Sequence, residues 1–531
     1  MSTQQASRPE TSHRRLNVSR VLPLASAVLA LAGCAVGPQY VKPTLNVNDS
    51  WSTKSPQLAT QSAADSAWWR AFNDPTLEKL ILAARSQNLP LMAAGVRIME
   101  ARAQFGIAVG NKYPQLQQAF ASASGISLSD NVLNNQDFDH DFWDFQAGFD
   151  VQWEADFWKK YSKAAKAQEA AYLSSIGDYQ NALVSLSAEV ARTYAAIRTF
   201  EVLIAQARRN VDVQAEALRI ATARFEAGAT SELDVSQART LLESTRASIP
   251  QLELSLAQSQ NALATLLGQP PGSLQALLEG PLTIPAAPAR VAVSIPTDVL
   301  RRRPDVRSAE LLAMAQSERI GVAKAELYPR FVLFGTLGLQ ATTGGESSFN
   351  FFSPGSFFAA VGPRVYWPFF NYGRIKNQVR VEDARFQQLV LGYQHSVLKA
   401  AQEVEDGIVG FIKSLEAASA QENAVTSARR SVELSSVQYL DGAVDFQRVL
   451  DAERSQLQEE NNLVRLQSSV VTSAISLYKA LGGGWEMAPG QPIIPDAIKN
   501  EMQQRTDWGQ YFGTQPDASK DTSQQPTPPV R

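Results

Sequence analysis

Several things are scarce in this chain of 531 residues, and each scarcity removes a class of protein. Cys34 is its one cysteine, so there is no intrachain disulfide framework. The three histidines, His13, His140 and His395, are too scattered for a zinc cluster or a histidine-based active site. Although 44% of the residues are hydrophobic, no run of about 20 apolar residues occurs, which excludes a transmembrane helix. A β-barrel leaves a weaker, alternating signature and stays open. Charge of one sign is also missing. With 49 basic and 52 acidic residues the formal net charge is −3, which gives no electrostatic case for nucleic acid. No phosphate loop, nucleophile motif or metal-spaced cluster appears, so neither an enzyme nor a cofactor is expected.

What is present begins with alternation. Phe145, Ala147, Phe149, Val151 and Trp153 alternate with Gln146, Gly148, Asp150, Gln152 and Glu154, giving a strand with one apolar and one polar face. The clustered aromatics Trp153, Phe157, Trp158 and Tyr161 follow, and then a sequence rich in Ala, Lys, Gln and Glu that favours helix. The same event recurs 214 positions later, where Val361, Val365 and Trp367 alternate with Gly362, Arg364 and Tyr366. Trp367, Phe369, Phe370 and Tyr372 come next, and then another helix former. Gly228 maps onto Gly442, Val235 onto Val449 and Gly268 onto Gly482 at the same offset, while Tyr113–Pro114 answers Tyr328–Pro329 at 215. Self-similarity of this kind implies a tandem duplication of a unit of about 200 residues.

Each copy is expected to offer two strands, about 116–128 with 144–154 and about 331–340 with 359–368. The first is the weakest, with Ser122 and Ser124 on the side expected to be apolar. Four strands cannot close a barrel, which takes about eight or more. An open edge in lipid would leave backbone groups unpaired at several kcal/mol each. Subunits must then complete the barrel, and three chains would give twelve strands. Trp153, Trp158, Trp367 and Tyr372 are the candidate interface aromatics. The strand pairs are joined by Ser129–Trp143 and Thr342–Phe358. The first loop carries Asp137, Asp139 and Asp141 around His140, oxygens that suit calcium, although a solvated extracellular loop is the plainer reading. The second carries Phe349, Phe351, Phe352, Phe357 and Phe358, expected to pack over the barrel mouth.

Beyond the aromatics, Lys159–Phe225 holds 67 residues without proline, which at about 1.5 Å per residue would extend roughly 100 Å. Leu183, Val190, Ile197, Ile204, Val211, Leu218 and Phe225 lie seven apart, and Val397, Val404, Phe411, Ala418, Val425, Val432 and Tyr439 repeat the seam. A sustained seven-residue repeat implies a left-handed coiled coil. Gly228 and Gly442 suit a left-handed C-terminal position. Ser231 and Asp445 then stand at N-caps, and Ser231 with Asp234 has capping-box spacing. Return helices are expected over about 232–267 and 446–481.

At the N-terminus, Arg14, Arg15 and Arg20 precede the apolar stretch Val21–Leu31, an export signal. It ends in Leu31-Ala32-Gly33-Cys34, which resembles the lipobox of bacterial lipoproteins, with Cys34 the acylated residue. The following CAVGPQYVKP, together with Trp68–Pro75 (WWRAFNDP), Arg301–Arg307 (RRRPDVR) and Leu477–Trp485 (LYKALGGGW), resembles the outer membrane factor lipoproteins (TolC-like, NodT-type) of tripartite RND efflux systems.

That resemblance implies a homotrimer: a twelve-stranded outer-membrane β-barrel, four strands per chain, continuous with a long α-helical coiled-coil tunnel through the periplasm. It implies a passive duct carrying drugs or other small toxic compounds, with a periplasmic adaptor (membrane fusion protein), an inner-membrane RND-type pump and outer-membrane lipid as partners. Gly228, Ser231, Gly442 and Asp445 would mark hairpin turns that meet the adaptor. Arg448, Leu450, Asp451 and Arg454 would form the periplasmic gate; Arg448 stands where some members have aspartate, which leaves a mixed-charge constriction. The expected organisation is a signal peptide at 1–33, a lipidated extended segment at 34–67, a first repeat at 68–268, a linker at 269–300, a second repeat at 301–484 and a partly disordered tail at 485–531. A type I protein-secretion duct and a non-channel periplasmic coiled-coil scaffold lipoprotein are the alternatives.

Overall fold

The computed structural model describes residues 35–43, 47–59, 67–129, 139–344, 349–486 and 492–512. Cys34, the export signal and Asp137 lie outside them. The chain runs through one order of elements twice. The first half contains α1 (Pro75–Gln87), α2 (Leu89–Gly110), β1 (Leu116–Ser127), β2 (Asp141–Glu154), α3 (Lys160–Glu226) and α4 (Glu232–Leu266). The second contains α5 (Pro296–Arg302), α6 (Pro304–Ala325), β3 (Arg330–Thr342), β4 (Phe357–Tyr366), α7 (Arg374–Leu440) and α8 (Phe446–Ala480). The long helices α3 and α7 have 67 residues each, and their return helices α4 and α8 have 35 each.

All four long strands form one antiparallel sheet in the order β1-β2-β3-β4. Its register sets Val151 beside Gln117 and Gly335, and Gly335 beside Val361. Below the sheet the helices pack side by side, with α6 between α3 and α7. The seam residues Leu183, Val190 and Ile197 are buried, as are Val397, Val404 and Phe411. The main core gathers most of these with Trp68, Trp69 and Phe72 and with the apolar face of α8.

Two segments outside the repeats pack against the rest of the chain. The 269–300 segment is no free connector: Leu274, Leu278, Val291 and Val293 are buried in it, and Val291–Ala292 pairs in parallel with Leu58–Ala59. In the tail, α9 (Asp496–Arg505) and the residues around it are docked. Ile493 and Ile494 are buried, and Arg102 donates to the Tyr511 carbonyl at 2.6 Å. Polar composition hid three apolar anchors, Ile493, Ile494 and Met502.

Candidate functional site

The surfaces on which function rests are the sheet, the aromatic zone beneath it and the far end of the helical shaft. In the antiparallel register, directly opposed residues share a face. Phe145, Phe149, Val151 and Trp153 of β2 therefore share one with Leu333, Leu337 and Leu339 of β3 and with Phe357, Val361 and Val365 of β4. Most of these side chains are exposed, Val361 to 81% and Phe149 to 60%, so the chain presents a broad apolar wall. A patch of this kind marks a membrane or partner surface. On the opposite face Gln118 donates to Asp150 at 3.2 Å, while Gln146 and Gln340 donate to Asp144 at 2.7 and 3.0 Å.

One sequence expectation fails here. Ser122 and Ser124 pair with Gln146 and Asp144, so they stand on the polar face, and β1 gives Ala119, Ala121 and Ala123 to the wall. In the loop after β3, Phe349 packs edge-on against Phe145 of the wall, with ring centroids 5.2 Å apart.

The aromatic zone is built in matched pairs. Trp153 donates its indole N–H to the Lys112 carbonyl at 3.3 Å, and Trp367 donates to that of Leu327 at 3.1 Å. Trp158 donates to the Pro329 carbonyl at 2.8 Å and stacks on Tyr328 at 4.7 Å. Tyr372, at the matching position of the second half, is fully exposed. The chain then turns into α3 through Lys159 and into α7 through Gly373, both with positive φ (60° and 81°). Asp156 caps the start of α3, accepting from the Tyr161 and Ser162 amides at 2.9 Å each.

The sequence motifs converge on one junction. Trp68 stacks on Tyr478 at 5.4 Å. Arg303 donates to the Ala480 carbonyl at 2.9 Å and pairs with Asp305 and Glu403 at 2.8 and 2.6 Å. Burial works against the Arg303 charge, but its bonds to Asp305 and Glu403 outweigh burial and hold its pKa above the ordinary value. The motifs thus fasten the start of each half to the end of α8.

At the far end Gly228 and Gly442 take positive φ of 71° and 76° and turn each hairpin. Asp445 accepts from the Arg448 amide at 3.3 Å as an N-cap. Ser231 occupies the matching position but makes no side-chain cap bond, and the Asp234 amide donates to the Ser231 carbonyl at 3.2 Å instead. Of the expected gate residues, Arg448, Asp451 and Arg454 are not buried, and Asp451 lies 3.9 Å from Arg454 in the same helix. Leu450 parts from them. It is 1% exposed and packs with Phe446, Val449, Ala221 and Val235, so it is core rather than lining.

An apolar sheet wall over an aromatic zone, carried on a long helical shaft, is the construction of an outer-membrane channel component of an efflux system, and the comparisons agree. The chain belongs to the outer membrane efflux protein family, matched over residues 80–269 and 295–483. It is similar to the probable outer membrane lipoprotein SilC of Salmonella typhimurium, 29% identical over 465 residues, covering 87% of this chain and 98% of that protein. The toluene efflux pump outer membrane protein TtgI of Pseudomonas putida is 30% identical over 471 residues, covering 87% and 98% respectively. Among solved structures, the outer-membrane channel OprN superposes with a TM-score of 0.79 at 29% identity, covering 85% of this chain and all of that one. The protein is placed in the outer membrane.

Proposed function

We propose that three copies close a twelve-stranded barrel continuous with a helical tunnel, forming a passive duct from a periplasmic adaptor and an inner-membrane RND-type pump to the exterior. The observation that carries this reading is the sheet: four strands, an apolar wall on one face and unpaired edges at β1 and β4. In lipid such edges must be paired by another chain. The duplicated layout supplies the docking pattern. Within the chain, α6 covers α3, close enough that a Cβ on Gly177 would stand 3.2 Å from that of Ser308. The matching positions, Leu391 on α7 and Ala93 on α2, are both exposed in the single chain. Leu398, Val381 and Leu89 are exposed beside them at 61%, 42% and 65%. In a ring, α2 of one copy covers α7 of the next as α6 covers α3, and Tyr113 offers Tyr372 the stacking partner that Tyr328 gives Trp158.

In this reading Cys34 carries the acyl chains that aid targeting, while the barrel holds the protein in place. The hairpin turns at Gly228 and Gly442 meet the adaptor. Arg448, Asp451 and Arg454 line the closed periplasmic aperture, without Leu450. The compound carried is chosen by the pump, and no catalytic step occurs.

The test compares two adjacent strand positions. Val151→Arg puts charge on the lipid wall, at about 2–4 kcal/mol near mid-bilayer, whereas Asp150→Arg faces the lumen and costs much less. The yield of heat-resistant trimer in outer-membrane fractions should fall sharply for the first and little for the second. Equal yields would refute the barrel or its register.

A further inference from the structure

One heptad above the apolar cluster at the tip, the interior of the shaft turns polar and unsatisfied. Glu453 is 9% exposed and lies seven residues from Phe446 on α8, while Gln214 is 4% exposed and lies seven from Ala221 on α3. Phe446 and Ala221 share the tip cluster, and Gln206 donates to Glu460 at 2.9 Å. This antiparallel register brings Gln214 to the level of Glu453, with Asn210 one turn farther along the same face of α3. Three side-chain atoms at this level, Glu453 Oε2, Gln214 Oε1 and Asn210 Nδ2, are buried and have no hydrogen-bond partner.

Glu460, one heptad farther from the tip, shows what a buried carboxylate requires. It is 7% exposed and accepts from Gln206 at 2.9 Å, Arg429 at 2.7 Å and Gln456 at 3.1 Å. Glu453 has nothing comparable. The charged groups around it are turned outward on every element: Asp451 with Arg454 on α8, and Arg430 with Glu433 on α7. On α3, Arg208 pairs with Glu253 of α4 and Glu216 with Arg219, while on α4 Glu243 pairs with Arg246. Arg209 and Asp212 are exposed on α3 and Arg239 on α4, and Arg429 is committed to Glu460.

An ionised carboxylate at this place would carry its full burial penalty. A neutral carboxyl brings an O–H, and Gln214 Oε1 is an acceptor in need of one; Asn210 Nδ2 is a donor in need of a carbonyl oxygen. We propose that Glu453, Gln214 and Asn210 form a proton-binding site inside the shaft, whose occupancy sets how tightly the first two turns of α8 pack against α3. The ligand is the proton itself. With it bound, the three orphan groups satisfy one another and the tip is held; when it leaves, a bare carboxylate is stranded between helices and the tip loosens.

Burial alone pushes the Glu453 carboxyl up to about 7, so occupancy changes across the neutral range. Because the folded-state value is raised, the stabilisation is fully present below the ordinary value of 4.5 and is lost as pH rises through about 7. Local opening of α8 at its tip should therefore increase about tenfold between about pH 6 and 8.5.

The experiment is amide hydrogen exchange on the full-length protein in detergent, following peptides over residues 446–457 and corrected for the intrinsic pH dependence of exchange. Wild type should show the tenfold increase with a midpoint near neutrality, and Glu453→Gln should flatten it. A flat wild-type profile, or a pH dependence that survives in the variant, overturns the proposal. Should Glu453→Gln fail to fold, the wild-type midpoint decides, and one in the ordinary carboxylate range overturns it. The readout is the packing of one hairpin, so its result stands apart from whether the assembled protein conducts.

Discussion

The two hairpin tips differ in how their apolar side chains pack. At the second, Tyr439 and Phe446 are buried at 6% and 2%, with ring centroids 5.2 Å apart, and the Arg224 guanidinium lies 4.5 Å from the Tyr439 ring. At the first, the position matching Tyr439 is Phe225, exposed at 42%, and the one matching Phe446 is Glu232. Leu233 beside it is 63% exposed. The same backbone turn therefore serves two ends: one knits four helices together, and the other leaves apolar side chains free on the outside.

The largest expected effect tests that division directly. Phe446→Ala removes a buried ring and should cost about 3–5 kcal/mol of local stability, whereas Phe225→Ala should stay within about 1 kcal/mol. Hydrogen exchange over the two tips measures both. Similar losses would mean that the tips are equivalent and the comparison is wrong.

A smaller difference lies in the caps. Asp445→Ala should cost about 1 kcal/mol, the usual value of a satisfied N-cap, and the loss should appear as faster exchange at the start of α8. Ser231→Ala should change α4 hardly at all, because the Ser231 side chain makes no cap bond. A larger loss from Ser231→Ala than from Asp445→Ala would reverse the assignment.

Much of this was legible in the sequence because the signals were strong and periodic. The seven-residue seam named the buried face of α3 from Leu183 to Ile204 and of α7 from Val397 to Val425, while Phe225 at the end of the α3 seam is exposed. The alternation in Phe145–Trp153 named the wall of β2, and the glycine turns marked both tips. β1 was misread because Ala and Ser alternate in it with so little contrast that the phase has no hydropathy signal. Register against β2 decides it instead, through pairs such as Ser122 with Gln146. Leu450 was grouped with Arg448 and Asp451 by nearness in sequence. Its spacing of four from Phe446 puts it on the apolar face, and following the 446–449–450–453 line would have found it. That line would also have found Glu453, the one acidic member of an otherwise apolar stripe. Ser231 has the residue type and position of a cap but makes no cap bond. The choices of short polar side chains among local backbone partners leave no periodic trace.

The smallest energetic effect is expected at the exposed face of the second tip, and there the functional consequence should be disproportionate. Asp451 and Arg454 are 3.9 Å apart and about half exposed, with Gln447 donating to Asp451 at 2.9 Å. Within one helix such a pair contributes only about 0.2–0.5 kcal/mol. Asp451→Ala combined with Arg454→Ala should therefore leave trimer yield and tip exchange unchanged. If the three copies of this face line the closed aperture, removing six charged side chains from it should raise single-channel conductance in planar bilayers. The matching positions of the first tip are Gln237 and Thr240, so that tip carries no such pair to remove. Unchanged conductance in a folded trimer would return Asp451 and Arg454 to an ordinary surface pair. The difference between the tips would then reduce to packing alone, one knitted and one open.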